Sequence, residues 1–369
     1  MAPMSRTPRA NGPVTLKEVA AAAGVSPASA SVVLNGRDEA VGISATTRAT
    51  VLETAARLGY RPNEAARSLR RRRTEVLALL LSSLSNPYFT DIAAGARIAA
   101  EERDYELDVV DVGAVATAVR TLHHLRSGRA DGIIIATGQR VLADPVTTPL
   151  QELVGRGMPM VMALGYSPGP SIPAVRMDDE RGAYLATTHL LGLGHTRIAH
   201  LTACSDDLLV DDSLPTAAHE RFRGYRRALA DAEVTFDPAW LVQDNVPRLD
   251  GESAVRTLLD RPRPRPTAAF VFNDLMAFGV LRALRQAGLS VPGDMAVVGC
   301  DGIDFGRYTT PELSTVAHPR AELGRRAVEA LFSLLDGAPG QPDEGDIVLP
   351  VRVLVRESCG AARISTEPT

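Results

Sequence analysis

The chain has 369 residues, of which 45% are hydrophobic and only 4% aromatic, and its formal net charge at pH 7 is −4. This length exceeds one ordinary domain, and no run of about 18 apolar residues is long enough to span a membrane. The three cysteines show neither metal-ligand nor disulfide spacing, which favours a reducing compartment. The composition therefore predicts a multidomain globular protein rather than a membrane or disulfide-rich secreted one.

The charge is distributed unevenly along the chain. Residues 1–73 contain 12 Lys and Arg against 5 Asp and Glu, whereas the remaining residues carry a net charge of −11. A basic amino-terminal region on an acidic body indicates binding to a polyanion, although an unevenly charged solvated surface gives the same pattern. Residues 1–13 are polar and Pro-rich without an apolar segment, so we expect a disordered arm rather than a signal peptide.

Residues 14–34 predict two short helices joined by a tight turn. Thr15 and Glu18 have the spacing of a capping box, which begins the first helix. Ser26 followed by Pro27 begins the second, because a Ser side chain caps well and Pro is tolerated at the first helical position. The intervening Gly-Val-Ser turn is short enough to predict a helix-turn-helix.

A third helix is predicted from Ser44 to Leu58, which completes a domain over residues 14–60. Its inner stripe is expected to consist of apolar side chains, namely Val51, Leu52, Ala55 and Leu58. The outward face of the second helix carries small side chains: Pro27, Ala28, Ser29, Ser31 and Val32. Such a face lets a helix enter the major groove of DNA closely, and its hydroxyl groups can donate to phosphates. A three-helix bundle without a DNA role is the alternative.

Residues 61–73 are predicted to form a short linker. Pro62 can start a helix that ends near Leu69, but about two helical turns alone are marginal in water. The run Arg70–Arg73 offers four positive charges to phosphates, or forms a plain charged linker.

Residues 74–369 alternate short apolar runs with helical patterns. The runs that predict strands are 76–81, 107–112, 132–136, 160–164, 198–201, 268–272 and 296–300. The patterns that predict helices include 91–102, 181–191, 221–230, 275–287 and 321–335. This alternation predicts parallel sheets covered by helices on both faces. About 295 residues are too many for one such sheet, so we expect two lobes.

Polar side chains follow three of these predicted strands. Asn86 comes after the first strand, Asn273 follows the run to Phe272, and Asp301 follows the run to residue 300. Ligands of such sheets bind beyond the carboxyl ends of the strands. Asn, Asp and Arg side chains together can saturate the hydroxyls of a sugar, while an aromatic ring covers its apolar face.

The basic amino-terminal region, hereafter called the head, contains the segments VTLKEVAAAAGVSPASASVVLNG and TTRATVLETAARLGYRPNEAARSL. They resemble the DNA-binding domain of the lactose-repressor (LacI/GalR) family of bacterial transcription regulators. The resemblance continues along the body in the motifs SNPYF, DGII, LGHTRI, ERFRGY and NDLMA, and in VPGD through VGCD. It implies an all-α helix-turn-helix head and an α/β body of two periplasmic-binding-protein-like lobes with doubly wound parallel sheets.

The resemblance also implies how the head holds DNA. Pro27, Ala28 and Val32 occupy base-reading positions, and residues 61–73 contain a hinge helix that folds on the operator and pairs with its twin. Leu69 matches the side chain that this helix wedges into the minor groove, where kinking costs a few kcal/mol and is repaid by extra contacts; packing of Leu69 against the body is the alternative. The predicted DNA contacts are Thr15, Ser26, Pro27, Ala28, Ser29, Ser31, Val32, Asn35, Asn63, Ala66 and Leu69.

Val32 departs from the family, which often has Arg at that position. An Arg side chain can bind guanine O6 and N7 with two hydrogen bonds and discriminates by about 1–3 kcal/mol, whereas Val can only contact a thymine methyl group. We therefore predict weaker direct readout, or a different preferred base, at that base pair.

In the body, the resemblance implies an effector cleft between the lobes. The first lobe is expected at about 74–175 and 305–335, and the second at about 176–304 and 336–369. The predicted effector contacts are Asn86, Tyr88, Phe89, Arg221, Asn273 and Asp301, with Phe272 and Tyr308 as weaker candidates. Structural alternatives remain for three of them: a turn role for Asn273, an ion pair with Arg307 or a turn cap for Asp301, and a surface position for Arg221. Asp274 is expected to cap its helix.

These features predict a cytoplasmic, nucleoid-associated homodimer that binds a pseudopalindromic operator and represses a catabolic operon under control of a sugar. An activator, or a regulator that responds to a nucleobase or another non-sugar metabolite, is the alternative. No catalytic, nucleotide-binding or metal-binding motif is present in the sequence. We therefore expect no enzyme activity, no metal and no cofactor.

Overall fold

The computed structural model describes residues 14–34, 42–60, 73–137, 146–166, 172–202, 216–243, 251–261, 264–337 and 346–361. The chain divides after Thr74 into an amino-terminal unit and a body. The predicted arm over 1–13, most of the hinge segment and the candidates Asn35, Asn63, Ala66 and Leu69 lie outside the described residues. None of the helices in the described part is both long and apolar enough to cross a membrane.

The amino-terminal unit contains the three predicted helices, α1 (Leu16–Ala22), α2 (Pro27–Leu34) and α3 (Ala45–Leu58). The capping box is formed: the Glu18 carboxylate accepts the Thr15 amide at 2.7 Å, and the Thr15 hydroxyl accepts the Glu18 amide at 3.4 Å. The Ser26 hydroxyl accepts the amide of Ser29 at 3.0 Å and so begins α2 as predicted. Capping satisfies amides that the first helical turn leaves without partners.

The core of this unit is built from small apolar side chains of all three helices, namely Ala20, Ala30, Val33 and Val51. The prediction that Leu52 lies inside was wrong, because its side chain is 44% exposed. Thr54 is buried instead, three positions after Val51 on the same helical face.

The first lobe of the body has a four-stranded parallel sheet in the order β2-β1-β3-β4. A bridge between Met162 and Ala174 joins this sheet to the parallel pair formed by β5 and β11. Its strands are β1 (Val76–Leu81), β2 (Glu106–Asp111), β3 (Gly132–Ala136), β4 (Met160–Met162), β5 (Val175–Met177) and β11 (Ile347–Leu349). Its helices are α4 (Pro87–Glu101), α5 (Val115–Leu125), α6 (Thr147–Gly155) and α11 (Arg320–Leu335). Strands β1, β3 and β4 are buried apolar runs, as expected for strands covered on both faces, whereas the edge strand β2 has no buried residue.

The second lobe has a six-stranded sheet in the order β12-β10-β9-β8-β6-β7, parallel except for β12. Its strands are β6 (Ile198–Thr202), β7 (Leu241–Gln243), β8 (Ala268–Val271), β9 (Ala296–Asp301), β10 (Ser314–Ala317) and β12 (Arg352–Leu354). Its helices are α7 (Asp179–Gly192), α8 (Ala217–Asp231), α9 (Glu252–Asp260) and α10 (Asp274–Gln286). Every predicted strand is present with ends shifted by at most two residues, but several helices begin earlier than predicted because their first turns lack apolar periodicity.

The chain passes between the lobes three times, after β5, after β10 and after β11. The boundaries therefore differ from those predicted. Residues 305–317 include β10 and belong to the second lobe, because β10 pairs with β9. Residues 347–349 belong with the first lobe, because β11 pairs with β5 and Leu349 lies in the first-lobe core. Such exchanges rest on long-range strand pairing, which local patterns do not encode.

Glycine lets one helix pair in each lobe pack at backbone contact. A Cβ atom at Gly324 of α11 would overlap the carbonyl oxygen of Ile92 on α4. A Cβ atom at Gly224 of α8 would overlap the carbonyl oxygen of Glu180 on α7. Both pairs hold residues that reach the junction of the lobes, so their close packing positions the site described next.

Candidate functional site

Arg221 on α8 is the centre of a buried polar cluster at the junction of the lobes. Its side chain is only 5% exposed, which overturns the alternative of a surface position. Nε donates to Oδ1 of Asp179 at 2.8 Å, and Nη1 donates to the carbonyl oxygen of Phe272. The guanidinium also lies 4.6 Å from the centre of the Phe272 ring, a cation–π distance.

Asp301, the last residue of β9, faces this guanidinium. Its Oδ1 lies 3.9 Å from Nη2 of Arg221, whereas no described contact pairs it with Arg307. Burial raises the pKa of the Asp301 carboxyl well above its usual range, and the charge of Arg221 opposes that shift. The backbone φ of Asp301 is +125°, a conformation that L-residues rarely adopt and that clusters at functional sites. Nη1 of Arg320 donates to its carbonyl oxygen at 2.6 Å and helps to hold this geometry.

Tyr88, on α4 of the first lobe, joins the cluster through His318. Its hydroxyl lies 3.3 Å from Nδ1 of His318, and Nε2 of His318 lies 3.5 Å from Sγ of Cys300 on β9. Burial, followed by the charges of Arg221 and Arg320, lowers the pKa of His318 well below its usual value, so the imidazole is neutral at pH 7. The chain Tyr88–His318–Cys300 is therefore a neutral hydrogen-bonded link between the lobes.

The two candidate Asn side chains act as helix caps. Oδ1 of Asn86 accepts the amide of Tyr88 at 3.0 Å, and Oδ1 of Asn273 accepts the amide of Met276 at 2.8 Å. The prediction that Asp274 caps α10 was wrong, because Asn273 fills that place. Each Asn amide group still has N–H donors to offer a ligand.

Asp274 has a different role: it is fully buried and fastens α10 to neighbouring segments. It accepts the hydroxyl of Thr315 at 2.6 Å and the amide of Ile303 at 2.9 Å. Burial raises the pKa of its carboxyl to about 7 in spite of these hydrogen bonds. Asp274 therefore supports the site rather than lining it.

The structure brings Tyr88, Arg221, Phe272 and Asp301 together, with Phe89 packed edge-to-face on Tyr88 at 5.4 Å. It does not bring Tyr308 to them; that side chain is 81% exposed. Sequence reasoning missed four members of the cluster: Asp179, Cys300, His318 and Arg320. Asp179 contacts Arg221, Arg320 contacts Asp301 and His318 contacts Tyr88, whereas Cys300 contacts His318. All four contacts are long-range, and only the acidic pair 178–179 after a short apolar run offered a local signal.

Within the described residues, donor atoms of Asp179, Cys300 and His318 lie within 4.8 Å of one another. They are a poor metal site, because the Arg221 guanidinium already binds Asp179 and would repel a divalent cation. Burial also raises the pKa of the Cys300 thiol well above its usual value, which disfavours the thiolate that a metal requires. The arrangement instead offers hydroxyl-binding donors and acceptors.

The second candidate surface is the outer face of α2 in the amino-terminal unit. Pro27 and Ala28 are exposed, whereas Ser29, Ser31 and Val32 are half-buried. The side chains on this face are short, so the backbone of α2 can approach another molecule closely. The amino terminus of the helix is also the positive end of its dipole, which favours anions.

Comparison with known proteins decides the family. Residues 15–63 match "Bacterial regulatory proteins, lacI family", and residues 187–359 match "Periplasmic binding protein-like domain". Over 347 residues the chain is 30% identical to the ribose operon repressor of Haemophilus influenzae, an alignment that covers 93% of this chain and 98% of that protein. The chain belongs to the LacI family of bacterial regulatory proteins.

Solved structures of LacI-family regulators have the same fold. The lac repressor dimer bound to operator and the anti-inducer ONPF is 28% identical, with a TM-score of 0.78 over 95% of this chain and 100% of that one. The complex of the transcriptional regulator CelR with cellobiose is 31% identical, with a TM-score of 0.68 over 94% and 99%. The predicted family and fold class are thus confirmed, and the relatives are regulators rather than enzymes.

Proposed function

We propose that this LacI-family regulator is a cytoplasmic homodimeric repressor of a catabolic operon, and that a sugar bound beside Arg221 changes its operator affinity. The names of the relatives support this proposal: one is a ribose operon repressor, one is a dimer on its operator, and one holds cellobiose. The observation that carries it is the buried Arg221–Asp179–Asp301 cluster at the junction of the lobes. A guanidinium between carboxylates, over an aromatic ring, suits neighbouring hydroxyl groups.

The proposed DNA contacts are made by the outer face of α2 and by the hinge segment. Two heads of a dimer would place their α2 helices in successive major grooves of a pseudopalindrome. The small side chains from Pro27 to Val32 permit a close approach but supply few hydrogen bonds to bases. We therefore expect operator specificity to depend strongly on the hinge and on DNA deformability.

The proposed coupling runs through contacts that join the lobes. Tyr88 on α4 meets His318, and Arg320 joins Asp91 of α4 at 2.8 Å to the carbonyl oxygen of Asp301. A ligand on Arg221 and Asp301 would change these contacts and shift α4 relative to the second lobe. Since a ligand biases a two-state equilibrium only through its differential affinity, typical couplings are about 1–3 kcal/mol.

The proposal is tested by replacing Arg221. Operator sequences are first obtained by in vitro selection, and ligands by a thermal-shift screen that includes ribose and cellobiose, because a bound ligand stabilises the native state. Arg221→Ala should lose the ligand-dependent change in operator affinity but retain operator binding, which also shows that the variant folds. Arg226→Ala, on the same helix but packed on Phe222 and Phe236, should respond like the wild type.

A normal ligand response in Arg221→Ala would place the effector elsewhere and contradict the proposal. A ligand that strengthens operator binding would instead identify a corepressor-dependent regulator. Transcription assays with a reporter under the selected operator then separate repression from activation.

A further inference from the structure

The donors of Arg221 are already occupied by groups of the protein itself. Asp179, the first residue of α7, accepts Nε at 2.8 Å, and the carbonyl oxygen of Phe272 accepts Nη1. The Asp179 side chain is 13% exposed and that of Arg221 5%, so this ion pair is largely shielded from water. Nη2, which lies 3.9 Å from Asp301, is the part of the guanidinium left with the weakest protein contact.

The described charges around Arg221 leave no net positive charge for a ligand. Asp179 neutralises Arg221, and Asp301 adds either a second negative charge or, where its buried carboxyl is protonated, none. Arg320, the other guanidinium beside Asp301, is bound to Asp91 through Nε and to the Asp301 carbonyl oxygen through Nη1. Neither cation is therefore available to balance the charge of an anion.

A hydroxyl group suits this arrangement better than a phosphate or carboxylate group does. It can accept from Nη2 of Arg221 while it donates to a carboxylate oxygen of Asp179 or Asp301. An ionised carboxylate or a phosphate dianion only accepts, so it cannot donate to the Asp179 carboxylate as a hydroxyl group can. An anionic ligand could bind the Arg221 guanidinium closely only by displacing Asp179, which would leave the Asp179 carboxylate buried without its partner.

We infer that Asp179 sets the charge class of the effector: by neutralising Arg221, it admits uncharged, hydroxyl-rich ligands and excludes phosphorylated and carboxylated ones. This inference rests on the proposed effector function of the same cleft. It makes Asp179, rather than Arg221, the residue that distinguishes a free sugar from its phosphate ester or its acid.

The test compares the full-length wild type with Asp179→Asn, which keeps the shape of the side chain but leaves Arg221 with its charge. Inorganic phosphate and ribose 5-phosphate are the anionic probes, and ribose and cellobiose the neutral ones, all followed by isothermal titration and thermal shift. Glu180→Gln is the matched control, because Glu180 is the next residue of α7 but pairs with Arg223 and Arg227 instead of Arg221. The basic head is common to all variants, so anion binding there cancels in the comparison.

We expect Asp179→Asn to bind the anionic probes at least about 10-fold more tightly than the wild type does, the usual scale for gaining one charge-assisted contact. Glu180→Gln should bind them like the wild type. Asp179→Glu, which keeps the charge, should still exclude them and so separates charge from shape.

Two results would overturn the inference. One is a folded Asp179→Asn variant with unchanged affinity for the anionic probes. The other is a wild type that binds a sugar phosphate as tightly as the corresponding sugar, a comparison that remains decisive even if Asp179→Asn does not fold. A ligand that binds without changing operator affinity would contradict the proposed function but leave this charge test intact.

Discussion

His200 on β6 is buried among aromatic rings, and its replacement by Phe should remove a specific sensitivity to acid. The imidazole stacks on Phe270 at 5.0 Å and on Tyr225 at 5.3 Å between ring centres. Nδ1 lies 3.2 Å from the carbonyl oxygen of Phe270, while Nε2 has no hydrogen-bond partner among the described contacts. Burial lowers the pKa of His200 from 6.5 to about 4.

The direction of the pH effect follows from the two states. At pH 7 the imidazole is largely neutral in both, so it contributes little pH dependence there. As the pH falls below 6.5, His200 becomes protonated in the unfolded chain, whereas in the folded protein it stays neutral until the pH approaches 4. Because the unfolded state binds more protons, the free energy of unfolding decreases as the pH falls. At pH 5 the resulting loss in the free energy of unfolding is about 2 kcal/mol.

His200→Phe keeps an aromatic ring in the stack and eliminates this titration. The free energies of unfolding of variant and wild type should therefore differ by about 2 kcal/mol more in favour of the variant at pH 5 than at pH 7. Titrations of the other residues are shared and cancel in the difference. Urea unfolding followed by the fluorescence of Trp240, the only Trp in the chain, reports on the same lobe. Equal differences at both pH values would show that burial of His200 does not make the protein sensitive to acid.

Three further predictions concern packing and DNA contacts. Gly324→Ala should destabilise the body by about 1–3 kcal/mol or more in thermal melts, because the added methyl group overlaps the Ile92 carbonyl oxygen. Gly155→Ala is the control: its methyl group enters open space, so this variant should be neutral or stabilised by up to about 1 kcal/mol. Val32→Arg should create a preference for guanine at one base pair of each half-site, worth about 1–3 kcal/mol in binding selections. An unchanged base preference would show that residue 32 does not contact the bases. Leu69→Ala should weaken operator binding much more than nonspecific binding in mobility-shift titrations. An equal loss of affinity for both kinds of DNA would contradict the insertion of Leu69 into the minor groove.

Local features were predictable from the sequence. Capping residues and apolar periodicity located α1, α2 and most strands of the body, because those signals act within a few residues. The exposure of Leu52 was not predictable in this way, since a 14-residue helix with a weak apolar stripe can rotate by one position against its neighbours.

Long-range features were only partly predictable. Arg221 and Asp301 were recognised through the family resemblance, but Asp179 was missed because its role depends on α7 packing against α8. The division of residues 305–335 between the lobes likewise depends on the pairing of β10 with β9. Asn273 and Asp274 are adjacent residues that can both cap a helix, so only the burial of Asp274 distinguishes them.

The proposed function requires the site at Arg221 and the DNA-binding surface to be thermodynamically coupled. The most direct test is to measure the dissociation constant of the identified ligand twice, once with the free protein and once with the protein saturated with operator. Linkage requires the two constants to differ by the same factor by which the ligand changes operator affinity, here expected to be about 5- to 150-fold. For a repressor released by its ligand, the operator-bound protein should bind the ligand more weakly. Equal constants in the two states would contradict the account.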